Sequence, residues 1–112
     1  MLLPNAERAI IEPAKLHGYL LSTSHPVGRF KARFFMALGF TGERWEELET
    51  ALRTQHLSQD VALSDRGAGG LSYTIRAILK GPAAGAEVVS VWWVRDGEEI
   101  GRFVTAYPGA RT

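Results

Sequence analysis

The sequence predicts an α+β domain, with N-terminal helices packed on one face of a four-stranded antiparallel sheet. Three observations predict it: helical spacing of apolar residues is confined to the first half of the chain, alternating polar and apolar residues begin near Leu71, and turns rich in Gly or Pro separate the alternating runs. Helices first and strands afterwards is the order of a segregated fold rather than one that interleaves the two. With 112 residues there is enough chain for one hydrophobic core, expected over 1–108 with a disordered tail at 109–112.

The first element, Arg8-Ala9-Ile10-Ile11, is short, aliphatic and ended by Glu12-Pro13, so it reads as an edge strand or an extended arm. Pro13 suits the first position of a helix, where its missing N–H is not needed. Leu16, Tyr19 and Leu20 give that helix an apolar stripe, and Gly18 keeps it short. Ser22-Thr23-Ser24-His25-Pro26 is a turn rich in capping residues, followed by a second helix that runs to Leu38 and stops at Gly39. Projected on a helix, Val27, Phe30, Phe34, Ala37 and Leu38 share the expected core face, while Arg29, Arg33 and Met36 lie opposite. Lys31 falls at the edge of the stripe, a position that buries its stem and leaves the ammonium to reach a cleft. Thr41 is placed to cap a third helix that turns Trp45, Leu48 and Leu52 inward, pairs Glu49 with Arg53 one turn later, and ends near His56.

Beyond His56 the period becomes that of strands. Val61-Ala62-Leu63 is expected to pair with the run from Leu71 to Lys80 across a turn containing Gly67, Gly69 and Gly70. Gly81-Pro82-Ala83-Ala84-Gly85 is the next turn, and Val88 to Val94, apolar on both faces, reads as a central strand. Asp96-Gly97 marks a hairpin whose loop is lengthened by Glu98-Glu99, and Arg102 to Tyr107 closes the series before Pro108.

Several function classes drop out on composition. The absence of cysteine removes disulfides and thiolate zinc sites and fits a reducing compartment. The start lacks the basic region and apolar run of a signal peptide, and no stretch is long enough to span a bilayer, so a cytoplasmic protein with no membrane partner is expected. His17, His25 and His56 have no metal-ligand spacing, and no cofactor is implied. Gly67-Ala68-Gly69-Gly70 lacks the lysine and hydroxyl of a phosphate loop and precedes a strand, which makes it a turn.

A formal charge of +1 gives no overall attraction to a polyanion, yet no acid occurs between Glu12 and Glu43, and Arg29, Lys31 and Arg33 fall in that interval. The residue types there support metal-independent cleavage of RNA. His25 exchanges a proton near neutral pH, Lys31 and Arg102 offset the charge of a phosphorane, and Thr105 or Tyr107 orients a phosphate or the 2′-hydroxyl. Arg29, Arg33 and Trp92 are the candidate substrate contacts, the arginines for phosphates and Trp92 for stacking on a base. The plainer reading makes the arginines a solvated helix face and the tryptophan a cover for the sheet.

Leu3-Pro4-Asn5-Ala6-Glu7-Arg8-Ala9, His25-Pro26-Val27-Gly28-Arg29-Phe30-Lys31-Ala32-Arg33-Phe34-Phe35 and Arg102-Phe103-Val104-Thr105-Ala106-Tyr107-Pro108 resemble an uncharacterised family of short bacterial proteins, a domain of unknown function. More loosely, helices followed by a four-stranded antiparallel sheet are similar to the small ribonuclease toxins that include barnase, the RNase colicins and RelE. That likeness implies RNA cleavage on an open sheet face, within a toxin-antitoxin system and under a cognate antitoxin-like partner. The competing expectation is a non-catalytic interaction module or homodimer, which pairs through a sheet edge and is motivated by the Ile10-Ile11 arm, the tryptophan pair and the near-neutral charge.

Overall fold

Pro13 opens the first helix, α1, where its ring is pre-set for the helical backbone. The computed structural model, which describes residues 1–109, gives α1 an α-helical turn at Pro13–Lys15 and then a π-helical turn at Leu16–Leu20. The Leu21 N–H reaches five residues back to the Leu16 carbonyl at 2.8 Å, which buries Leu16 and Leu20 and leaves Tyr19 half-buried. Helix α2 is Gly28–Ala37. Helix α3 begins with the 3-10 turn Gly42–Arg44, continues through Trp45–Ala51 and ends in a second π-helical turn, Leu52–His56. The Thr41 hydroxyl accepts the Arg44 N–H at its start, and Arg53 meets Glu49 at 3.0 Å, as their spacing predicts.

The face that α2 buries differs from the one the apolar pattern predicts. Gly28, Ala32 and Phe35 are buried on it, whereas Phe30 is 72% and Val27 55% exposed and Phe34 only partly covered. The reason is steric. A Cβ on Gly28 would lie 2.0 Å from the Tyr19 carbonyl oxygen, so α2 meets α1 at its glycine, and Ala32 and Phe35 are buried on the same side of the helix. Close approach selects the face, and the bulkier Phe30 is turned out by it.

The four strands are β1 (Leu63–Gly67), β2 (Gly70–Lys80), β3 (Gly85–Arg95) and β4 (Arg102–Pro108), paired antiparallel in chain order. The β1 ladder starts later than the Val61–Leu63 expectation because Gly67 pairs with Gly70 across Ala68 and Gly69, and Gly69 supplies the left-handed φ of 88° that this tight turn requires. The Gly-rich segment is thus a hairpin. The helices cover one sheet face, where Tyr73, Ile75 and Leu79 from β2, Val88 and Trp92 from β3, and Phe103 and Ala106 from β4 join Phe35, Leu48 and Leu52 in one cluster. Helix α3 lies against β2.

The two edges of the sheet differ. At β1 every residue from Leu63 to Arg66 is exposed. At β4 the expected Arg8–Ile11 arm narrows to a single parallel bridge at Ile10, whose N–H donates to Gly101 O at 2.9 Å and whose carbonyl accepts the Phe103 N–H at 2.8 Å, while Arg8 ends the 3-10 turn Ala6–Arg8. Further along β4 the register slips, because Val91 pairs with Thr105 but Trp92 with Phe103, leaving Val104 as the extra residue of a bulge. Phe103 and Ala106 therefore face the core, while Thr105 and Tyr107 turn to the other side. Beyond β4, Gly109 hydrogen-bonds to Glu87 O at 2.9 Å. The rest of the tail expected at 109–112 lies outside the described residues. No helix among the described residues is long and apolar enough to cross a membrane.

Trp92 is fully buried, with its indole N–H donated to Ser90 Oγ at 2.9 Å, and this removes it from the substrate-binding candidates. A strand places Trp92 and Trp93 on opposite faces, and the core took Trp92. The Ser90 hydroxyl donates in turn to His56 Nδ1 at 2.7 Å, while the His56 Nε2–H points to the Ala77 carbonyl at 3.2 Å. This direction is forced, because a carbonyl only accepts. Burial pushes the His56 pKa below the ordinary 6.5, and the bond to Ala77 O offsets this only in part. Unfolded chains therefore bind a proton that the folded chain refuses, so the stability contributed by neutral His56 is full above pH 6.5 and declines as the pH falls below it. Thermal unfolding across this range is expected to show a falling Tm for the native chain and a flatter curve for His56→Gln; superimposable slopes would count against the directed chain.

Candidate functional site

The Gly28 contact and the β4 bulge bring three side chains from three elements to one point. Lys31 of α2 donates from Nζ to Thr105 Oγ1 at 2.6 Å and to Tyr19 OH at 2.9 Å, and the two hydroxyls lie 3.1 Å apart. Lys31 reaches them because it sits one position from the buried line of α2, with its stem half-covered. Thr105 is available because the bulge turned it away from the core. The ammonium also stands 5.3 Å from the Tyr19 ring centre and 5.9 Å from that of Tyr107. A groove of about 490 Å³ opens beside the triad and is bounded by Glu12, Lys15, Tyr19, His25, Val104 and Thr105.

Electrostatics single out Tyr19. Burial alone would raise its pKa, but hydrogen bonds from Lys31 and Thr105 and the charges of Lys31 and Lys15 outweigh that, and the phenol ionises below its ordinary 10.0. Once ionised, an oxygen of this kind, held by an ammonium and facing a groove, can accept a proton without a metal. No cluster of three or more His, Cys, Asp or Glu that could hold a metal ion occurs among the described residues.

His25 stands edge-on to Tyr19, with ring centres 5.1 Å apart, but its role differs from the proton exchange expected of it. Its Nδ1 accepts the backbone N–H groups of Val27 at 3.0 Å and Gly28 at 2.9 Å, which makes the histidine a cap for α2. With Nδ1 engaged as acceptor, the neutral ring carries its proton on Nε2 and offers a donor rather than a base.

Of the other candidates, Tyr107 joins the site through its ring and is 40% exposed. Arg102 does not join it. Its Nε lies 3.9 Å from Glu98 Oε1, and its side chain lines a separate cleft with Arg8, Glu98 and Glu99, where the acidic loop offsets its charge. Arg29 and Arg33 are also outside the groove, on the exposed side of α2. Tyr19 was hidden in the sequence by its place in the apolar stripe of α1, and Lys15 by an ordinary helical surface position. The one signal for both was their place within the acid-free interval that follows Glu12.

Replacing Lys31 by Met removes the ammonium and keeps much of the stem. Difference spectrophotometric titration against Tyr19→Phe is expected to show Tyr19 ionising at higher pH in Lys31→Met than in the native chain. An unchanged titration would show that Lys31 does not set the phenol.

Neither the curated proteins nor the solved structures compared with the chain contain a match, so the looser likeness to ribonuclease toxins finds no counterpart there. One family model does match, over residues 2–110, and by that match across nearly its whole length the chain belongs to the family described as a domain of unknown function (DUF6883).

Proposed function

We propose that the chain is a small RNA-acting protein, a metal-independent endoribonuclease, that works in the groove between α1 and β4. The observation that carries this reading is the Lys31 ammonium held on Tyr19 OH and Thr105 Oγ1, the side chains of two residues that line the groove. A phosphodiester beside a ribose 2′-hydroxyl is the substrate for which a base and a fixed cation suffice, because the nucleophile is already part of the substrate.

In this reading the ionised Tyr19 oxygen takes the proton of the 2′-hydroxyl. The 2′-oxygen forms a bond to phosphorus, and the bond from phosphorus to the 5′-oxygen of the next nucleotide breaks. Lys31 offsets the charge of the phosphorane and passes a proton to the departing 5′-oxygen. The products are a 2′,3′-cyclic phosphate and a free 5′-hydroxyl. Proton transfer from Tyr19 to Lys31 across their hydrogen bond restores the starting state. Thr105 holds Lys31 and Tyr19 in register, and the His25 Nε2–H and Lys15 provide donors for the phosphate oxygens at the groove wall. Uncontrolled RNA cleavage is toxic to the cell that makes it, which is the basis for expecting a toxin-antitoxin setting and an antitoxin-like partner.

Labelled single-stranded RNA incubated with the purified chain in a metal chelator is expected to yield fragments ending in 2′,3′-cyclic phosphate. Tyr19→Phe and Lys31→Ala should each slow this by about a hundred-fold or more, the usual contribution of a general acid or base, with circular dichroism confirming that both variants remain folded. Intact RNA with the native chain would overturn the activity, and undiminished cleavage by both variants would overturn the site.

A further inference from the structure

The outer side of α2 carries an unusual combination. Phe30 is 72% exposed, Val27 55% and Met36 44%, and the Arg29 guanidinium lies 4.8 Å from the centre of the Phe30 ring. Arg29 and Arg33, one helical turn apart, make no salt bridge among the described residues, although several other arginines in the chain do. The chain's acidic run, Glu43, Glu46, Glu47 and Glu49, belongs to the α3 segment instead. Thr23, Arg29, Phe30, Arg33 and Met36 border a shallow groove of about 550 Å³.

The order of residues around α2 links this face to the site. At roughly 100° per residue, Arg29 and Arg33 form one ridge, Phe30 follows, then Phe34 and Val27, then Lys31, before the buried line of Phe35, Gly28 and Ala32. Going round the helix, two guanidiniums without a salt bridge are thus followed by the exposed Phe30 ring, the half-buried Phe34 and the exposed Val27, and then by Lys31 of the triad. The ligand that suits such an order alternates anionic groups with flat apolar rings. Single-stranded nucleic acid does so, since its bases are free to stack on an aromatic side chain while its phosphates meet cations. A duplex keeps its bases inside.

We infer that the exposed face of α2 is a track for single-stranded RNA leading to the Tyr19–Lys31 groove, with Phe30 as a stacking platform and Arg29 and Arg33 as phosphate contacts. This rests on the RNA reading given above, but it concerns binding rather than cleavage. Because all three side chains are exposed, their replacement should leave the core intact.

The test measures fluorescence anisotropy of a labelled oligouridylate with the 112-residue Tyr19→Phe chain, in chelator and across a salt series, so that binding is read without turnover. Phe30→Ala is expected to weaken binding about five- to a hundred-fold, and Phe30→Trp to restore it. Arg29→Ala and Arg33→Ala should each lower the slope of log affinity against log salt by about 0.7. Affinity unchanged in all three alanine variants, a preference for duplex RNA, or binding of a glutamate- and leucine-rich peptide in place of the oligouridylate would overturn the track. Binding that follows the predicted pattern while the native chain leaves RNA intact would uphold the track and remove the cleavage reading. Cleavage with no contribution from Phe30, Arg29 or Arg33 to affinity or KM would do the reverse.

Discussion

No side chain fits between Gly28 and the Tyr19 carbonyl, where a Cβ would stand 2.0 Å from the oxygen. That close approach fixes the rotation of α2, and nearly every feature of the site follows from the rotation. With Gly28 against α1, Ala32 and Phe35 turn inward, Lys31 comes to the rim beside Tyr19, and Phe30 is left in solvent. His25 secures the same junction by accepting the N–H groups of Val27 and Gly28 on Nδ1. The side chain that looked most like a catalytic histidine is engaged in holding the helix that presents the lysine.

A second constraint comes from β4. An unbroken strand would place Phe103 and Thr105 on the same face and bury the threonine's position in the core. The extra residue, Val104, separates them, so that the strand contributes Phe103 to the core and Thr105 to the triad. Bulges at sheet edges often re-aim a side chain in this way. The polar groups inside the sheet are treated differently: His56, Ser90 and Trp92 form a closed chain in which every donor has an acceptor, and they have no opening to solvent. One polar network stabilises the core, and the other faces a groove.

The parts of the fold legible in the sequence were those set by periodicity and turn chemistry. The cap at Thr41, the Glu49–Arg53 pair, the alternation of β2 and the Gly-rich hairpin turn all depend on neighbours within a few residues. The face of α2 was not legible, because apolar spacing gives Phe30 and Val27 priority over a glycine, whereas the tertiary contact rewards the glycine. The same limit hid Tyr19: in α1 it continues the apolar stripe of Leu16 and Leu20, and only its distance to Lys31 and Thr105 reveals a second role. Of the candidates chosen by residue type, Lys31, Thr105, Tyr107 and His25 do converge, Arg102 is diverted to Glu98, and Trp92 is taken by the core.

In the proposed reaction Tyr19, held by Lys31, is the group on which the chemistry turns. The most direct measurement is the pH dependence of RNA cleavage by the native chain in the presence of a chelator, compared with the spectrophotometric titration of Tyr19 in the same buffer series. With Tyr19 as the base, the rate rises with pH along the ionisation curve of Tyr19 and has its midpoint below pH 10.0. A cleavage rate that ignores the ionisation of Tyr19, or RNA that stays intact at every pH, would contradict that role.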